Sequence, residues 1–130
     1  MIKIIAEKYL TTEELIRMKE TNGQLKKAYL AYEEEGDEIE AWTRVEIPIT
    51  AARRILSNKM MELLYVLLER KEYSISELAK NLHRSVPNVY RDLSFLERYG
   101  LITYLDKGRK KIPVFLARKI IVEFHMEKNK

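Results

Sequence analysis

Cysteine is absent from all 130 residues. That excludes a disulfide scaffold, a thiolate metal site and thiol redox chemistry. Histidine occurs only at His83 and His125, too far apart in sequence to share the helical spacing of a zinc site, so no metal is expected. No apolar run approaches the ~18 residues of a membrane span. Glu7 and Lys8 interrupt the apolar start that a signal peptide would need, which predicts a cytoplasmic protein. Glycine and proline are scarce, at 4 and 3, and they form neither a linker nor a phosphate loop. With no nucleophile–base set and no spaced carboxylate pair, the chain is expected to be no enzyme and to carry no cofactor.

What remains is a hydrophobic content of 46%, enough for one core, and a charge that is unevenly spread. Residues 1–48 hold 7 basic and 11 acidic side chains, a balance of −4, whereas residues 49–130 hold 17 and 9, a balance of +8. An acidic leading region beside a basic remainder points to a polyanion as the partner of the latter. The chain is therefore read as an acidic extension over residues 1–49 and a basic domain over residues 50–126.

The informative stretch runs from Ser74 to Gly100. Ser74 or Ser76 can cap a first helix, and Glu77 stands at the capping-box distance from Ser74. Ile75, Leu78, Ala79 and Leu82 share one face of it. His83-Arg84 forms the turn. Ser85 caps a second helix, with Pro87 in the first turn, where a missing N–H costs nothing. Val89, Leu93 and Leu96 make its buried stripe and Gly100 ends it. Away from that stripe lie Asn88 and Arg91, with Tyr90 and Ser94 beside them. Arginine and asparagine are the side chains that read guanine and adenine edges in two-point fashion. Two helices, a tight turn and polar readers early in the second make a helix-turn-helix arrangement.

After Gly100 the period shortens to that of strands. Leu101–Leu105 and Ile112–Leu116 flank a turn that carries Lys107, Arg109, Lys110 and Lys111, with Gly108 at the position that favours positive φ. A helix-turn-helix followed by such a hairpin is the winged-helix arrangement. Its cationic tip would lie on the phosphate backbone or in the minor groove, adding affinity without sequence readout. The fold class expected is α+β, a winged helix-turn-helix domain with an N-terminal extension of helices and strand.

The remainder supports that domain. Residues 1–9 read as a short strand. Thr11 and Glu14 form a second capping box, and Leu25, Ala28, Tyr29 and Tyr32 make an amphipathic stripe. Asn22-Gly23 either breaks one helix or separates two. The stripe either packs on the basic domain or pairs with its copy in a second chain. Residues 39–49 alternate as a strand, Ile39, Ala41, Thr43, Val45 and Ile47 on one face, which Pro48 either ends or marks as an edge. A short helical turn follows from Thr50. Ser57 caps a longer helix over residues 58–71, whose core positions are expected at Met61, Leu64, Leu67 and Leu68. Ile120–His125 should add a strand beside the hairpin or beside residues 39–47, before a charged tail.

The residues Ile75-Ser76-Glu77-Leu78-Ala79, Arg84, Asn88-Val89-Tyr90-Arg91-Asp92-Leu93, Leu96-Glu97 and Gly100-Leu101-Ile102 resemble the winged-helix transcriptional regulators of the broad MarR/ArsR-like group. The nearest likeness is to archaeal regulators that share the leader Ile55-Leu56-Ser57-Asn58-Lys59 and a basic wing with a closing strand. The resemblance covers residues 50–125. It implies binding of double-stranded DNA, as a homodimer on a two-fold operator. Carried over, it implies contacts from Ser85, Pro87, Asn88, Tyr90, Arg91 and Ser94 in the recognition helix. Arg84 is placed on a phosphate, and Lys107, Arg109, Lys110 and Lys111 on the wing. The metal-sensing cysteines of ArsR-type proteins are missing, so metal sensing is not implied. A winged helix can also serve as a protein-interaction module, a subunit of a transcription or replication assembly or an antitoxin, and the acidic, Tyr-bearing leading region is the feature that would favour it.

Overall fold

The computed structural model describes residues 1–10 and 41–126. The expected capping box at Thr11, the Leu25–Tyr32 stripe and the charged tail lie outside the described residues.

The chain opens with β1 (Ile2–Leu10) and resumes with β2 (Ala41–Ile47). Four helices follow: α1 (Ile49–Ile55), α2 (Asn58–Leu68), α3 (Ile75–Leu82) and α4 (Val86–Arg98). Three strands close it: β3 (Ile102–Lys107), β4 (Lys110–Phe115) and β5 (Ala117–Phe124). The class is α+β, with a helix-turn-helix and a β-hairpin in the order of a winged helix.

The strands form two antiparallel sheets, a three-stranded one in the order β2-β1-β5 and the hairpin β3-β4. β5 therefore lies beside β1, against the expectation that it would join the hairpin or β2. Ala6 pairs with Val45 on one side and Ile120 on the other, and no part of it is exposed. A small central residue lets both neighbouring strands close over the helices. The sheet is fastened where the two ends of the described chain meet: His125 N–H donates to the Met1 carbonyl at 2.7 Å, and the Met1 amino group donates to the His125 carbonyl at 2.8 Å.

One core runs through both layers. Ile4, Ala6 and Ile47 from the sheet meet Ile55, Met60, Leu63, Leu78, Val89, Leu93 and Leu96 from the helices and Leu101, Ile102 and Phe115 from the hairpin. Each fully buried aliphatic side chain of this kind contributes about 1.5–3 kcal/mol relative to exposure. α2 departs from its expected form at two points. It ends at Leu68 rather than Lys71, because Arg70 adopts a left-handed φ of 60°. Its buried positions are Met60, Leu63, Leu64, Val66 and Leu67, whereas Leu68 is exposed and Met61 half-buried. Leu64 and Leu67 belong to both sets. Which flank of that line is covered depends on where the neighbouring elements pack.

Candidate nucleic-acid interface

The helical pair is built by local chemistry the sequence already shows. Ser74 Oγ accepts from Glu77 N–H at 3.2 Å and Glu77 Oε1 accepts from Ser74 N–H at 3.3 Å, a complete capping box. His83 ends α3 in the left-handed region at φ 54°, and Arg84 N–H reaches back to the Ala79 carbonyl at 2.9 Å. Ser85 Oγ then accepts from Asn88 N–H at 3.3 Å, opening α4 with Pro87 in its first turn. Val89, Leu93 and Leu96 are wholly buried, which fixes the rotation of α4 on the core.

With that rotation set, the start of α4 faces outward. Ser85, Pro87, Asn88, Tyr90 and Arg91 are all exposed, and Ser94 is half-buried. Arg91 has no ion-pair partner among the described residues. Val86 belongs to this surface too, at 44% exposure beside Tyr90 at 57%. The sequence reading missed Val86 because its phase puts it in line with Val89, on the buried side. The first turn of α4 extends past the packed core, so the apolar side chain stays in the open.

Arg84 departs from its expected role. Its side chain is only 15% exposed, and Nη2 donates to Asp92 Oδ2 at 2.6 Å and to the Asn88 carbonyl at 3.4 Å. Asp92 Oδ1 also accepts from Arg54 Nη2 at 3.2 Å, and the Arg54 guanidinium lies 4.2 Å over the Phe95 ring. Asp92 thus ties α1 and the turn to α4. A guanidinium spent on a half-buried carboxylate is not offered to a phosphate; Arg84 holds the turn in place. Nothing in the sequence cued this role of Asp92, because the two arginines reach it from 8 and 38 positions away.

The far end of α4 is held by a residue from β1. Lys8 is buried, and its Nζ donates to the Gly100 carbonyl at 3.0 Å. Burial lowers its pKa, and the cation sits just past the negative end of the helix. Next to it in β1, the buried Glu7 accepts from Arg44 Nε at 3.0 Å. On β3, burial, then the nearby Glu97 and Tyr90, push the Tyr104 hydroxyl up to about 12, so it stays a neutral donor at any physiological pH.

The hairpin turns through Gly108, at φ 64°, and Arg109, with Lys107 paired to Lys110 across the strands. All four wing cations are exposed, but they are not equivalent. Lys107 pairs with Glu72, and Lys110 pairs with Glu77 Oε1 at 3.0 Å. The Lys110 hydrogen bond, then those of Ser74, hold the Glu77 carboxyl below its ordinary range. Arg109 and Lys111 have no carboxylate partner among the described residues. Exposed ion pairs of this kind contribute little to stability, because water and salt screen them. Among the described residues there is no cluster of three His, Asp or Glu side chains suited to a metal, and no helix long and apolar enough to cross a membrane.

The sequence model of the HVO_A0114 family matches residues 55–122, from the end of α1 to β5. "Uncharacterized protein MJ0772" of Methanocaldococcus jannaschii is 25% identical over 107 residues, 81% of this chain and 30% of that protein. The "CRISPR locus-related putative DNA-binding protein Csa3" of Saccharolobus solfataricus is 39% identical over 62 residues, 48% of this chain and 26% of that protein. The chain thus spans less than a third of the length of either relative.

Proposed function

The chain belongs to the HVO_A0114 family, and from that premise we propose that it is a transcriptional regulator of the MarR/ArsR-like kind that binds double-stranded DNA. α4 enters the major groove and the β3-β4 tip follows the backbone or the minor groove. The protein binds rather than catalyses, works in the cytoplasm, and assembles as a homodimer on a two-fold site. The carrying observation is the outward start of α4: Ser85, Val86, Asn88, Tyr90 and Arg91 are exposed together, while Val89 and Leu93 behind them are fully buried. A cationic hairpin in the same domain supports it, as does the likeness to a relative described as DNA-binding.

Within this reading Asn88 and Arg91 discriminate bases, and Val86 with Tyr90 touches the methyl group of thymine. Arg109 and Lys111 meet phosphates directly; Lys107 and Lys110 do so by leaving Glu72 and Glu77. The test is selection of duplexes from a random pool, followed by anisotropy titrations across salt. A specific duplex should emerge, with log affinity falling linearly in log salt by about 0.9 per phosphate neutralised. Arg91→Ala should cost about 1–3 kcal/mol on the selected site and relax preference at one position. No affinity for any duplex at low salt would end this reading.

A further inference from the structure

β5 is an edge strand with one side occupied. β1 pairs along it from Ala117 to Phe124, and no second strand lies on its other side among the described residues. An open row of backbone donors and acceptors is a template for another strand unless proline, a bulge or charge blunts it. The one irregularity in this pairing lies between Glu7 and Lys8, where Arg118 is the extra residue of β5. From Lys119 to Phe124 the strand is regular and free of proline, and four of its six residues are apolar. Its apolar side chains also break the surface: Phe124 is 72% exposed, and Val122, Ile2, Met1 and Met126 around it are exposed as well.

We propose that β5 pairs antiparallel with β5 of a second copy of this chain, about a two-fold axis through Ile121, joining the two three-stranded sheets into one of six strands. The charge pattern selects both the partner and the register, with Lys119 and Glu123 exchanging the contacts that each has within its own chain, His125 at 3.0 Å in the case of Glu123. With the axis perpendicular to the sheet, residues that face each other share a side, and the axis on Ile121 sets Lys119 against Glu123 of the second copy, twice over. It also sets Ile120 against Val122 and Ile121 against itself. Moving the axis to Ile120 or Val122 would put Lys119 against Ile121 or His125 and lose both charge pairs. Because a two-fold contact must be complementary to itself, a strand that reads cation–apolar–anion symmetrically about its centre is suited to its own copy. The axis also leaves both sets of helices on one side of the joined sheet. This gives the homodimer proposed above a surface, and it concerns assembly alone.

The test uses the full chain in sedimentation velocity over a range of concentrations. The wild type should dimerise reversibly. Lys119→Glu places glutamate against Glu123 and Glu123→Lys places lysine against Lys119, so each variant alone should dimerise at least tenfold more weakly. An equimolar mixture of the two restores both opposite-charge pairs in a heterodimer and should recover association. Phe124→Ser, on the other side of the strand, should weaken the dimer with no effect on the charges, and circular dichroism confirms that each variant is folded. A wild type that is monomeric throughout, folded variants as dimeric as the wild type, or a mixture that fails to recover would each overturn the proposal. A monomeric chain that still binds duplex DNA would sink this interface and leave the regulator reading standing.

Discussion

Arg84 and Arg91 lie seven positions apart at the turn and on the outward face of α4, and the sequence reading puts both on DNA, Arg84 at a phosphate and Arg91 at a base edge. The structure separates them. Arg84 is folded onto Asp92, with Arg54 on the carboxylate's other oxygen, whereas Arg91 is exposed. The difference teaches that a basic residue next to a candidate binding helix is a strut or a reader according to whether a carboxylate is in reach. That is set by the fold around it. The wing repeats the lesson in a weaker form, since Lys107 and Lys110 have acidic partners and Arg109 and Lys111 have none among the described residues.

The sharpest way to break the comparison is to remove the carboxylate. Asp92→Ala strands two guanidinium groups, one of them mostly buried, and should cost about 3 kcal/mol of stability, the range for breaking a buried pair. Arg91→Ala should change stability by no more than about 0.5 kcal/mol. Urea denaturation of the two variants measures both, and equal losses would show that the distinction between strut and reader is false.

A smaller effect tests the apolar part of the outward face. If Val86 packs on a thymine methyl group, replacing that thymine by uracil should cost about 0.8 kcal/mol, roughly fourfold in affinity. In Val86→Ala the same base change should cost less. Titrating both proteins against both duplexes gives the cycle, and additive losses would place Val86 away from the methyl group.

The smallest effect lies at the wing's anchor. A carboxyl held below its ordinary value contributes stability that is fully present above the unfolded pKa, near 4.5, and is lost as pH falls through the lower folded pKa. Glu77→Gln keeps a side chain that can complete the capping box but removes the charge facing Lys110. The stability gap between wild type and variant should therefore be constant above pH 5 and close as pH falls below 4.5. A gap that does not narrow at all between pH 5 and pH 3 would mean that the charge facing Lys110 contributes nothing.

The local elements were legible wherever the signal spans a few residues. Ser74 with Glu77, Ser57, Ser85 with Pro87, Gly100 and Gly108 each stand where their backbone chemistry is used. The outward face of α4 was legible as well, because Val89, Leu93 and Leu96 set its phase. Val86 was not, since periodicity cannot say where the core beneath a helix stops. The buried flank of α2 was half legible for the same reason: seven Met, Leu and Val residues compete for a face that only the packed neighbours can choose, and five of them are buried.

By itself, then, the sequence determined the helix starts and stops, the turn between α3 and α4, the basic hairpin and the charge imbalance, because caps, turns and periodicity act over one or two turns of chain. Only the tertiary structure decided that β5 lies against β1, that Lys8 reaches the end of α4, and that Asp92 draws the Arg84 side chain in from the exposed start of α4. Those contacts join residues 92 and 8 positions apart or farther along the chain. Their partners are chosen by which buried charges and strand edges remain to be satisfied once the core has closed.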